Sequence, residues 1–406
     1  MRVAVLGAGI QGVCVALELA ARGVRVDLFD KNPDCVTQAS AQSEGKIHLG
    51  FVYGNDRSRR TARAMIRGAL SFAPLLRRWI GSKIDEVPVS SQFHYLVHAN
   101  SMSTIDEVRA HLEACRQIAN EYAAGRPCEY FGSDVHAPVR ELSGDELAAA
   151  FDTRRVRAAF QTPEIAIDPE ALAAILRAHV RTIPEISLRL RTTVNVVARR
   201  DQRITVEFES AGVRDREDYD HVVNALWDGR LAIDASLGLV PQRPWLWRVK
   251  HFLRVRAPGH GETLPSSTIV LGPFGDIVNY RQGDFFLSWY PAGCIGRSTG
   301  IKPPDWPLPP DATTVAAIRA GIRAGLAEIV PGIEEISNNN AEASELKGGI
   351  IFAWGAVDID ERNSGLHERF EIGVTSHGRY HSIDTGKYTT APLFAEQVVD
   401  RILASS

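Results

Sequence analysis

Gly7-Ala8-Gly9-Ile10-Gln11-Gly12, with Asp30 after a second apolar run, has the residue types and spacing to hold a dinucleotide. Gly7 permits a tight turn, Gly9 lets the backbone approach a pyrophosphate, and Gly12 allows a helix to pack closely on a strand. A helix opening at Ile10 and Gln11 would offer N–H groups and a positive dipole end to the phosphates. Asp30, followed by Lys31, would accept hydrogen bonds from an adenosine ribose and repel a 2′-phosphate. The bare pattern fits FAD and NAD equally.

The flanking residues predict the elements that must position this site. Residues 2–6 form a short apolar run of strand length, and Val13, Ala16, Leu17 and Ala20 recur at helical spacing. Gly23 stops that helix, and residues 24–29 read as a second strand, giving a strand-turn-helix-strand unit. Further strands are expected at 92–98, 194–198, 204–208 and 219–225, then at 247–255, 268–272, 276–280, 285–290 and 350–354. Helices are expected from about Ser58, over 104–123 and 313–328, and through Leu393, Phe394, Val398 and Ile402. Asp168 and Pro169 form an N-cap and first helical residue. Residues 303–310 are proline-rich and read as a surface loop, and 338–340 as another.

Composition bounds the class. The 406 residues are 45% hydrophobic and 23% charged, with formal net charge −3, which predicts an α/β protein of two domains. No charge excess points to nucleic acid, no apolar run has the length of a transmembrane segment, and no signal peptide is expected. Cys14, Cys35, Cys115, Cys128 and Cys294 are scattered without a CxxC, which argues against disulfides or zinc and for a reducing, cytoplasmic setting. The histidines lack ligand spacing, so no metal is expected.

Three patches decide between the dinucleotides. Ser43-Glu-Gly45-Lys46-Ile-His48-Leu-Gly50-Phe-Val-Tyr53 resembles a segment of the D-amino-acid-oxidase superfamily of flavoproteins. It is most similar to the branch of L-2-hydroxyglutarate oxidases and FAD-dependent glycerol-3-phosphate dehydrogenases. Residues 160–172, with Asp168-Pro169, resemble that superfamily's entry into a helix. The third patch, Gly386-Lys387-Tyr388-Thr389-Thr390 before a C-terminal helix, is similar to the turn that closes the FAD site.

The resemblance implies an α/β, overall α+β, fold: a Rossmann-type FAD-binding domain with an inserted, mainly antiparallel β-sheet substrate domain. It implies residues 1–84, 160–235 and 346–406 for the first, and 85–159 and 236–345 for the second. Noncovalent FAD would contact Gly7, Gly9, Ile10, Gln11, Gly12, Asp30, Lys31, Ser43, Gly45, Lys46, Val194, Trp227, Gly386, Lys387, Tyr388 and Thr389. Trp227 departs from the glycine-containing turn usual there.

The implied activity is oxidation of a CH–OH group on a small, polar, hydroxy-acid-like substrate by hydride transfer to flavin. His48 would take the hydroxyl proton, and histidine titrates in the useful range without help. Lys387 would stabilise charge on reduced flavin. Arg281, then Lys250, are the candidates to fork a carboxylate, among the aromatics Tyr280 and Trp289 on the expected sheet. His381 would also reach the substrate. An FAD-dependent amine or amino-acid oxidase, a nicotinamide dehydrogenase and a non-catalytic dinucleotide-binding protein are the alternatives. The pattern names no electron acceptor.

Overall fold

The structure, a computed structural model, describes residues 1–125, 129–260, 264–338 and 344–405. Cys128 and residues 339–340 of the expected 338–340 loop lie outside them. Cys14, Cys35, Cys115 and Cys294 are free thiols. No helix among the described residues is long and apolar enough to cross a membrane.

The N-terminal unit forms as its pattern predicts. Strand Arg2–Leu6 lies between Arg25–Phe29 and His221–Asn224, parallel to both. Helix Ile10–Ala21 connects the first pair, burying Val13, Ala16 and Leu17, and Gly23 ends it at φ +73°. The six-stranded sheet runs 373–377, 380–384, 221–224, 2–6, 25–29, 186–189. Only the 373–377 strand is antiparallel to its neighbour. The chain crosses over on opposite sides of strand Arg2–Leu6, so Gly7, Asp30 and Ala225 meet at one carboxyl edge. Ligands bind at such switch points in open α/β sheets.

A second sheet of nine strands is mainly antiparallel, with one parallel pair between 94–98 and 267–270. Period-two alternation gives strand Trp245–Arg256 two different faces. Leu253 and Val255 pack with Leu287 beneath Ile318, Ile322 and Leu326 of helix Ala312–Ala327. Lys250 and Phe252 point the other way and line the cavity described below. Strand Ser344–Trp354, whose residues from 346 on are expected in the cofactor-binding part, pairs instead with Trp245–Arg256 at eleven positions, from Trp245 with Trp354 to Val255 with Ser344. Its apolar alternation suits either sheet, and this long partner strand decides the matter.

Two connections carry site residues between the sheets. The two-residue strand Lys46–Ile47 pairs with Ile165–Ala166. Helix Arg60–Ile80 runs so close to the C-terminal turn that a Cβ on Gly68 would stand 2.9 Å from Thr390 Cγ2. Asp168 caps helix Pro169–Val180, accepting from the N–H groups of Glu170 and Ala171.

Candidate active site

A cavity of about 700 Å3 runs from the carboxyl edge of the first sheet to the inner face of the second. At one end stand Gly7, Gly9, Asp30, Lys31 and Val194, and at the other His48, Lys250, Phe252, Phe286, Arg369 and Lys387.

The dinucleotide end is built from the backbone outward. Gly7 adopts φ +95°, and a Cβ there would meet Ala225 O at 2.7 Å. A Cβ on Gly12 would stand 1.8 Å from Gly7 O, so only glycine lets this helix close on its turn. Gly9 is the N-cap and has no side chain to cap the helix; Ser40 Oγ accepts from the Ile10 N–H at 2.9 Å, and the positive end of the helix lies at the cavity. Asp30 braces the turn through Ala8 N–H at 2.7 Å and Asn32 N–H at 2.9 Å. Lys31 reaches across to Asp228 at 3.0 Å. Gly12→Ala is expected to yield protein without bound flavin, measured as flavin absorbance per chain after incubation with FAD and gel filtration.

At the other end, positive charge predominates. Lys46 is buried, 3.1 Å from Asp276, with its ammonium over the Phe93 ring. Lys250 shares Asp276 at 3.6 Å. Arg369 and Lys387 form no ion pair among the described residues, and Glu44 is the acidic group on this part of the wall. Burial pushes the Glu44 carboxyl up, but Lys387, Lys250 and Lys46 outweigh that and hold it below its ordinary value. Burial, then Arg369, push the Lys387 ammonium down to about 8 against the pull of Glu44.

That depression is a stability statement. Between about pH 8 and its ordinary 10.5, Lys387 binds less proton folded than unfolded, so stability rises with pH through that window. Lys387→Met is expected to raise the urea midpoint of the apoprotein at pH 7 and to remove its share of this rise. Urea titrations at pH 7 and pH 10 measure both.

His48 is buried, and its ring lines the cavity. Its backbone N–H donates to Thr389 Oγ1 at 3.0 Å, and Thr389 donates to Lys46 O at 3.1 Å. The C-terminal turn therefore fixes the histidine segment. Burial first, then Lys387, Lys46 and Arg369, hold the imidazole well below its ordinary pKa. The imidazole is therefore neutral at neutral pH. Tyr53 lies beside it with ring centroids 5.6 Å apart.

Of the residues expected to bind FAD, all but Gly12 and Thr389 line the cavity, and those two hold its walls in place. Tyr388 follows Lys387 at the turn, and Trp227 donates through Nε1 to Ile350 O at 2.8 Å. Among expected substrate contacts, His48 and Lys250 line it too.

The others do not. Arg281 is exposed, at φ +68° on the turn between strands Gly275–Asn279 and Asp284–Trp289. The arginine that lines the cavity is Arg369. Tyr280 is buried behind the wall, donating to Glu44 O at 2.9 Å. Trp289 packs on Phe274 and against Gly325 of helix Ala312–Ala327. His381 lies within the first sheet, 3.2 Å from His221 Nδ1 and 2.9 Å from Ser376 Oγ.

Arg369 is tethered but not saturated. Its backbone N–H donates to Thr61 Oγ1 at 2.9 Å, Nε to Leu366 O at 3.3 Å and Nη1 to Phe352 O at 3.2 Å. Among the described residues the rest of the guanidinium fork has no hydrogen-bond partner. Several buried polar atoms around the cavity have no partner among the described residues: Gln11 Oε1, His48 Nδ1, Tyr53 OH and Tyr388 OH. Orphaned atoms beside the glycine turn at one end and near His48 at the other fit a long polar cofactor.

A family model described as DAO, FAD dependent oxidoreductase, matches residues 2–399. The chain belongs to that family. It is therefore an FAD-dependent oxidoreductase, which sets aside the nicotinamide and non-catalytic alternatives. No curated protein sequence matches this member. Among solved structures, it is similar to glycine oxidase from Geobacillus kaustophilus, with 17% identity and TM-score 0.69, covering 100% of this chain and 95% of that one. L-proline dehydrogenase from P. horikoshii gives 18% and 0.66, covering 100% and 94%. L-alpha-glycerophosphate oxidase from Mycoplasma pneumoniae, solved with FAD bound, gives 14% and 0.67, covering 99% and 94%. At such identities these similarities speak for the fold. In this DAO-family chain the glycine turn, Asp30, Val194 and the 386–388 turn stand on the wall of one cavity.

Proposed function

We propose that this DAO-family enzyme oxidises the CH–OH group of a small hydroxy acid. The observation that carries the reading is a neutral, buried His48 on the same wall as two cations, Arg369 and Lys387, that have no ion-pair partner among the described residues. An alcohol must lose its hydroxyl proton as it is oxidised, so it needs a base, whereas an amine presented as its free base does not.

FAD, when bound, supplies the hydride acceptor. The phosphates would lie at the Ile10–Ala21 helix start, the ribose at Asp30 and the adenine beside Val194. Arg369 would fork the substrate carboxylate, and binding it would offset one of the charges that depress His48. His48 would then accept the hydroxyl proton on the ring nitrogen open to the cavity. Phe252 and Phe286, with ring centroids 4.4 Å apart, form an apolar wall that excludes water and strengthens these interactions.

A second reading rests on Glu44. Its carboxylate on the same wall would receive an ammonium group, and Arg369 would serve an amino acid as well as a hydroxy acid. Anaerobic addition of hydroxy acids and amino acids to the FAD-loaded enzyme separates the two. Bleaching of the flavin by a hydroxy acid is expected, and bleaching by amines alone would overturn the first reading.

A further inference from the structure

Glu164 is a buried carboxylate that the reading above leaves unused. Glutamate is almost never fully buried unless paired, yet this one is 0% exposed and, among the described residues, no cation lies within hydrogen-bond distance of it. Tyr95 OH donates to Oε1, and Leu49 N–H donates to Oε2 at 2.6 Å. On the side toward the cavity, Oε1 stands 4.0 Å from His48 Nδ1. That nitrogen is itself buried and has no hydrogen-bond partner.

The carboxylate is placed firmly. Glu164 O accepts from Phe93 N–H at 2.9 Å, Glu164 N–H donates to Thr162 Oγ1 at 3.4 Å, and Tyr130 OH accepts from the next residue's N–H at 3.2 Å. Tyr95 OH and the Leu49 N–H take one lone pair on each carboxylate oxygen, which leaves acceptor capacity on Oε1 beside His48. The unmatched nitrogen opposite gives the acid a purpose.

We propose that Glu164 is a positioning residue for His48: its carboxylate holds the imidazole in the tautomer with the proton on Nδ1. Nε2 is thereby left as the acceptor facing the cavity. When the substrate O–H bond breaks and an Nε2–H bond forms, the new imidazolium charge faces the Glu164 carboxylate. The proposal rests on His48 being the base, and it extends that reading to the residue behind it.

The surroundings add a pH signature. Burial pushes the Glu164 carboxyl up to about 7, with Asp276 adding to the rise and Lys46, Tyr95 and the Leu49 N–H opposing it. Lys387, Lys46, Arg369 and the Tyr53 hydroxyl surround His48 from its other sides. As pH falls through about 7, Glu164 takes up a proton and loses its hold on the ring. The acidic limb of the flavin-reduction rate then follows Glu164, because His48 titrates lower.

The experiment uses FAD-loaded enzyme with 15N-labelled histidine, and His48→Asn assigns the ring signals. Above pH 7 the His48 ring is expected as the Nδ1–H tautomer. In Glu164→Gln it shifts toward Nε2–H, flavin reduction slows on the order of tenfold to a hundredfold, and the acidic limb disappears. Tyr95→Phe keeps the carboxylate but removes a donor, and should move the limb to higher pH. An unchanged tautomer and limb in Glu164→Gln, or an unmoved limb in Tyr95→Phe, would overturn the proposal. A tautomer that depends on Glu164 in an enzyme whose rate ignores His48→Asn would keep the positioning role and sink the base assignment alone.

Discussion

His48→Asn is expected to slow hydroxy-acid-driven flavin reduction by about 10²–10⁴, the usual contribution of a positioned base. KM should change little, because the proposed carboxylate anchor is elsewhere. Bound FAD should remain, because the segment's tie to Thr389 runs through the His48 backbone N–H and survives the substitution. The surrounding charges sharpen the test. Burial, Lys387, Lys46 and Arg369 keep the wild-type ring neutral well below its ordinary pKa, so protonation of His48 should not limit the rate at neutral pH. Stopped-flow reduction under anaerobic conditions reads the chemical step separately from reoxidation. An amine that reduces wild type and variant equally would show that the base acts only on hydroxyl substrates. Equal rates with a hydroxy acid would remove His48 from the chemistry.

What the sequence made legible is what local geometry dictates. Gly7, Gly9, Gly12 and Asp30 are close in sequence because one turn needs them all. The Gly386-Lys387 turn could be read because the helix start after it imposes its own pattern. Arg369 carries no such mark. It reaches the cavity through Thr61 and Phe352, contacts distant in sequence that no periodicity records. Arg281, in an aromatic and charged stretch that fits a site equally well, falls on a turn and points to solvent. Glu164 had a faint signal, an acid beside the apolar run Ile165-Ala166-Ile167, which reads as a helix approach until burial is known. Strand Val213–Tyr219 lacked a signal of its own: all but Glu217 and Tyr219 are exposed, so its sequence is charged on both faces rather than alternating.

Arg369→Met is expected to weaken use of a carboxylate substrate by about 2–5 kcal/mol in kcat/KM, roughly 30- to 4,000-fold, the range for losing one partner of a buried, hydrogen-bonded charge pair. Methionine keeps much of the stem's volume, so the wall should hold its shape while the fork is lost. Arg369→Lys should recover only part of the loss, because an ammonium cannot bind a carboxylate bidentately. The decisive comparison changes the substrate as well. A carboxamide analogue should be poor with wild type, and no poorer with Arg369→Met, since each change removes the same pair. If the two losses add in full, the carboxylate binds elsewhere, and Lys250 and Lys387 become the anchors to test. If they fail to add, Arg369 and the carboxylate meet in the transition state, and the position of the reacting carbon relative to His48 is set from that end of the cavity.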